Sequence, residues 1–112
     1  MSKTFSKVFE RDNHRCVYCG KDMLSDLDTF MSVEEDHLLP KSAGGDATDP
    51  ANIVTSCNVC NRLKGNFKPE SIQPSDRGEY LAAVRTKISS RREQKLKEFL
   101  SWAIPDEKDY HT

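Results

Sequence analysis

Apolar residues recur at helical spacing near both ends of the chain and at strand spacing between them. Phe5, Val8 and Phe9 fall at i, i+3 and i+4, which predicts a short amphipathic helix from Phe5 to Arg11 with Asn13 as its terminator. Residues 29–36, Thr-Phe-Met-Ser-Val-Glu-Glu-Asp, mix β-formers with alternating polarity and predict a half-buried strand that ends near His37, before Pro40. Residues 41–50 are a loop by composition, with Gly44-Gly45 followed by Asp46, Thr48, Asp49 and Pro50. Asn52 to Ser56 predicts a second short strand. Asn58 to Lys64 makes two helical turns closed by Gly65, too few to persist without packing or a staple. Asp76 with Glu79 resembles a capping box, and Leu81, Val84, Ile88, Leu96 and Phe99 continue a helical stripe, interrupted by Arg92, for about 20 residues. No internal repeat is present, and the tail after Pro105 carries no structural signal.

Length and composition make the core the weak point. A chain of 112 residues is one domain, and 36% apolar against 31% charged residues leaves too little hydrocarbon for a large core. Something else must staple it, and the four cysteines are the obvious means. No stretch approaches the ~18–20 apolar residues of a membrane span. Residues 1–7 hold no apolar run, so the reading expects no secretory signal, a cytoplasmic setting, no membrane and no disulfides.

The net charge of −1 argues against a simple polycation, yet the two halves differ in sign. Residues 1–56 hold 6 basic and 10 acidic side chains, residues 57–112 hold 11 and 8. Arg62, Lys64 and Lys68 form one basic group, and Arg85, Lys87, Arg91, Arg92, Lys95 and Lys97 another. Each reads either as a solvated helix face or as a surface that tracks phosphates.

Cys16-x-x-Cys19 and Cys57-x-x-Cys60 are two knuckles separated by the 37 residues from Gly20 to Ser56. Four thiolates suit tetrahedral Zn²⁺, and a C-x₂-C turn brings two sulfurs to one ion. Iron or a pair of disulfides is the lesser alternative. A thioredoxin-like use needs a lone C-x-x-C beside a βαβ pattern, and a two-Cys two-His finger needs a His-x₃₋₅-His pair; His14, His37 and His111 supply none. A closed Cys₄ site explains stability but leaves no coordination position for chemistry.

Between and just after the knuckles stand Glu35-Asp36-His37-Leu38-Leu39-Pro40, Gly44-Gly45, Asn52-Ile53 and Cys57-Asn58-Val59-Cys60-Asn61-Arg62-Leu63-Lys64-Gly65. Singly, these read as a surface ion pair, a turn residue and a helix-start residue. Hydrolysis of a phosphodiester needs an activated water, a cation against the growing charge, and groups that hold the strand. An imidazole with pKa near ~6.5 suits the base. Asp36 offers a hard oxygen and Asn61 an amide carbonyl, donors that favour Mg²⁺ or Mn²⁺. Neighbours on a regular strand point to opposite faces, so Asp36 and His37 share a site only where the strand ends or bulges.

The order Asp-His, x-x-Pro, Gly-Gly, Asn, Cys-x-x-Cys-Asn, x-x-Lys-Gly resembles the HNH endonuclease family over about residues 5–67, with Asn61 in place of the motif's last His. The resemblance implies a ββα-metal fold in which His37 activates water, Asp36 and Asn61 bind the catalytic metal, and Asn52 fixes the loop that orients His37. The resulting expectation is a small zinc-stapled α+β domain of ββα-metal type with flanking helices. Residues 1–67 form the nuclease core and residues 68–112 a basic helical extension of the same domain. Zn²⁺ bound by Cys16, Cys19, Cys57 and Cys60 is structural, and Mg²⁺ or Mn²⁺ is catalytic. The partner is DNA, held through its phosphates by Lys41, Arg62, Lys64, Arg91 and Arg92. Phe99, Leu100, Trp102 and Ile104 either pack back on the core or pair two chains, and a monomer that nicks duplex DNA is expected. The alternatives are a non-catalytic zinc-binding nucleic-acid module, which would tend to lose one of Asp36, His37 and Asn61, and a ribonuclease on the same fold.

Overall fold

The computed structural model describes residues 1–104; the tail 105–112 lies outside the described residues. Helix α1 (Lys3–Arg11) starts at Ser2, whose hydroxyl accepts from the Phe5 N–H, and buries Phe5, Val8 and Phe9. It stops where Asn13 and His14 adopt left-handed backbone, φ 55° and 60°. A short helix α2 (Leu27–Met31) precedes strand β1 (Val33–His37), which pairs antiparallel with β2 (Ile53–Cys57). Helix α3 (Asn58–Lys64) follows β2 without a break, and α4 (Arg77–Ala103) closes the described chain.

The strand expected over residues 29–36 is therefore shorter and later, and its first residues are helical. The cause is local: the Asp26 carboxylate accepts from both the backbone N–H and the hydroxyl of Thr29, a cap that outweighs the β-propensity of Thr29 and Phe30. The second strand begins at Ile53, because Asn52 ends a 3₁₀ turn that starts at Pro50. The long helix spans 27 residues rather than about 20, and Asp76 makes no side-chain cap.

Every residue of β2 is buried, so the strand is covered on both faces. Ile53 packs with Phe5 and Val8 of α1; its neighbour Val54 faces the other way, among Leu38, Tyr80, Leu81, Val84 and Ile88. The hairpin is thus the middle layer between α1 on one side and α3 with α4 on the other. The outer edge of β2 is also occupied, since the Thr55 N–H donates to Asp12 at 2.9 Å and its carbonyl accepts from Val17 at 3.0 Å.

Basic side chains of α4 tie it to this body by donating to carbonyls: Arg77 to Ala51, Arg85 to Val17, and Arg91 to both Leu63 and Lys64. Among the described residues nothing beyond Ile88 on α4 is buried. Phe99, Leu100, Trp102 and Ile104 do not return to the core; Trp102 is 82% exposed. No helix among the described residues is long and apolar enough to cross a membrane.

The two halves of α4 respond differently to substitution. Ile88→Ala should cost about 2–4 kcal/mol in a urea titration, and Phe99→Ser should stay within about 0.5 kcal/mol of the parent.

Candidate active site and metal centre

Cys16 and Cys19 lie on a tight hairpin in which Arg15 bridges Asp22, the Cys16 N–H donates to the Lys21 carbonyl at 3.0 Å, and Gly20 takes φ 78°. Cys57 and Cys60 flank the first turn of α3, where the Cys57 sulfur accepts from the Cys60 N–H at 3.4 Å. The chain thereby brings all four sulfurs within 4.8 Å of one another, with Cys19 and Cys57 3.9 Å apart. Two sulfurs on a tetrahedron of ~2.3 Å zinc bonds stand about 3.8 Å apart. All four cysteines are free, and all but Cys19 are buried. Hydrogen bonds from Cys57 and Cys60 hold the Cys16 thiol well below its ordinary value, while the hydrogen bonds it makes with Cys16 and Cys57 push Cys60 well above. A divalent cation resolves that conflict by holding all four as thiolates. The four cysteines are arranged to bind a metal ion, and the donor set is that of zinc.

A second, polar site lies where β1 ends. Asp36, His37, Lys41, Asn61 and Lys64 line one cavity of about 260 Å³. Asp36 and Glu34 alternate onto the face that meets α3, and His37 is the strand's last residue, paired with Ile53. The cavity sits across the strand end, so both neighbours reach it although their side chains leave opposite faces.

The His37 Nε2 stands 3.1 Å from the Ala47 carbonyl. A carbonyl only accepts, so Nε2 carries the proton and Nδ1 is left with the lone pair. Glu34 plays the matching part for Asn61. Its carboxylate only accepts, so the Asn61 amide nitrogen faces it, leaving the amide oxygen as the free end. Asp36 is buried, accepting from the Tyr18 hydroxyl and from the Lys64 ammonium at 3.3 Å. Burial, and next the Asp36 carboxylate, push the Tyr18 hydroxyl up, so it remains a protonated donor.

Asn52 lies outside this cavity, behind the loop that carries the Ala47 carbonyl. Its side chain accepts from the Leu39 N–H at 2.8 Å and donates to the carbonyls of Leu39 and Asp46 at 3.1 and 3.0 Å. This clamp needs Gly45, because a Cβ there would stand 1.9 Å from the Leu39 carbonyl oxygen.

The basic residues divide. Lys41 is exposed on the rim of the cavity. Arg62 is exposed but turns away from Asn61 into a separate groove between α3 and α4. Arg92 is exposed farther along α4. Lys64 and Arg91 correct the expectation of phosphate contacts. Lys64 is 1% exposed, with its ammonium committed to Asp36 and the His37 carbonyl. Arg91 caps the end of α3 through the Leu63 and Lys64 carbonyls, its guanidinium 5.8 Å from the centre of the Phe67 ring. Sequence reasoning missed Glu34 and Tyr18. The period-2 rule places Glu34 on the face of Asp36, but no spacing signals that Tyr18, inside a cysteine knuckle, reaches a carboxylate 18 residues away.

This arrangement of strand, loop, strand and helix has a counterpart among known proteins: residues 16–67 match the model of the HNH endonuclease family. The chain is also similar to the CRISPR-associated endonuclease Cas9 of Corynebacterium diphtheriae, 37% identical over 57 residues, which is 51% of this chain and 5% of that protein. It thus spans only a small fraction of that relative's length. No solved structure gives a significant match.

Two outcomes follow from the geometry. Cys57→Ser should unfold the domain, because zinc binding by small modules supplies ~10–16 kcal/mol of apparent free energy, as much as a whole domain's stability; circular dichroism and zinc analysis, with one zinc per parent chain, check it. Gly45→Ala should cost about 1–3 kcal/mol in thermal melts, as the loop is forced away from Leu39.

Proposed function

We propose that this chain is a metal-dependent DNA endonuclease that hydrolyses phosphodiester bonds and, acting as a monomer, nicks duplex DNA. The observation that carries this reading is the one cavity shared by Asp36, His37 and Asn61, with the His37 Nε2 committed to Ala47 and its Nδ1 free. Nδ1 takes a proton from a water molecule, whose oxygen attacks the phosphorus as the bond to O3′ breaks, giving a 5′-phosphate and, after protonation of O3′ from solvent, a 3′-hydroxyl. Asp36 and the Asn61 amide oxygen would hold Mg²⁺ or Mn²⁺; two hard oxygens in a polar cavity fit such an ion. When bound, it supplies positive charge against the phosphate and the leaving oxygen. Zn²⁺ at Cys16, Cys19, Cys57 and Cys60 is structural and takes no part in the reaction.

Lys41 at the rim, with Arg62 and Arg92 on the exposed faces of α3 and α4, would hold the phosphate backbone without reading bases; their exposure supports this. The described residues hold one cavity with Asp36, His37 and Asn61 together, and one cavity aligns with one scissile phosphate.

Supercoiled plasmid tests this. With Mg²⁺ or Mn²⁺, open-circular DNA should accumulate before linear DNA; EDTA should stop cleavage before it unfolds the protein. His37→Ala should lower the rate about 10²–10⁴-fold with melting temperature and DNA binding retained. Direct linearisation would refute the one-site reading, and full activity of His37→Ala would remove the base.

A further inference from the structure

Both oxygens of the Asp36 carboxylate have protein partners. One accepts from the Tyr18 hydroxyl; the other lies 3.3 Å from the Lys64 Nζ, which also donates to the His37 carbonyl at 2.9 Å. The two partners differ in what they permit. Tyr18 is a neutral donor and can stay while the carboxylate binds a cation. Lys64 is itself a cation, fully buried at the last position of α3, and a dication on the same oxygen would meet it at contact distance in a site shielded from water. Repulsion between the two cations opposes their holding that oxygen together.

We infer that Lys64 and the divalent cation compete for Asp36: the ammonium holds the carboxylate until the cation arrives, then swings off it. The inference rests on the proposed reading of Asp36 as a metal ligand. The bond to the His37 carbonyl gives the ammonium a pivot, and the 260 Å³ cavity that Lys64 also lines gives it somewhere to go. The arrangement has a physical logic. A buried carboxylate left without a counter-ion is strongly destabilising, so a resident ammonium keeps the site assembled at every metal concentration. Tyr18 keeps the carboxylate aimed while the two cations exchange. Lys64 is thus a positioning residue that lowers metal affinity, the opposite of a ligand.

The experiment uses the full, zinc-loaded chain and Mn²⁺ as the probe. An amine-acylating reagent is applied with and without saturating Mn²⁺, and modification of Lys64 is read by mass spectrometry against exposed Lys97 as internal reference. Lys64 should be protected without Mn²⁺ and labelled several-fold faster with it, Lys97 staying constant. In calorimetry, Lys64→Met should bind Mn²⁺ about tenfold more tightly than the parent, an effect of the size seen for outer groups at metal sites. Protection of Lys64 that persists in the Mn²⁺-saturated parent, or equal or weaker Mn²⁺ binding by a folded Lys64→Met, would overturn the inference. If that variant fails to fold, labelling of the parent decides. Asp36→Asn separates the two readings. If it abolishes Mn²⁺ binding while Lys64 stays protected in the saturated parent, only this inference falls. A parent that binds no Mn²⁺ would overturn the ligand assignment and this inference with it.

Discussion

The four-sulfur cluster joins the two parts of the chain that the small core could not hold by itself. Cys16 and Cys19 come from the hairpin after α1, and Cys57 and Cys60 from the junction of β2 with α3. A metal ion held by the four sulfurs would cross-link the seven-residue helix to the hairpin; packing alone would have to hold it otherwise, and two turns of helix are marginal. The polar cavity takes Asn61 and Lys64 from this helix, so its geometry depends on the staple one turn away. The dependence also runs through Tyr18, which stands between two of the sulfurs in sequence and holds Asp36 with its hydroxyl. The cysteine cluster and the cavity carboxylate are therefore one mechanical unit.

A second theme is the use of side chains to complete backbone hydrogen bonding where layers are thin. Asp12 and Val17 close the edge of β2, Asn52 closes the loop over Leu39 and Asp46, and three arginines of α4 cap carbonyls of the body. Tyr80 adds a buried bond to the Leu38 carbonyl at 2.6 Å. In a chain with only 36% apolar residues, satisfying these groups has to supply much of what a larger core would give.

What the sequence made legible is the part governed by short-range rules. The cysteine spacing, the helix from Asn58 to Lys64 with Gly65 after it, and the β2 strand can be read directly, because each is defined by neighbours within a few residues. The order of motif residues also points to the family whose model matches residues 16–67. Illegible were features settled at a distance. Lys64 and Arg91 look like solvent-facing cations in any linear reading, yet one is buried against Asp36 and the other caps a different helix, since charge alone does not say whether its partner is a phosphate or a carbonyl. The start of β1 was misplaced because a single cap at Asp26 overrode the propensity of the residues after it. The stripe on α4 was correctly periodic but silent on where packing stops.

That stopping point divides α4 into two thermodynamic regimes. Up to Arg91 its backbone opens only when the body does, for its side chains are embedded there or bonded to it. From Arg92 to Ala103 every residue is exposed and the contact with the described body is limited to the groove beside α3, so the helix there relies largely on the intrinsic preferences of Glu, Gln, Lys and Leu. A dozen residues so supported sit near the limit of autonomous helix formation, so this half frays and reforms from its end on a local helix–coil equilibrium while the layers beneath remain closed.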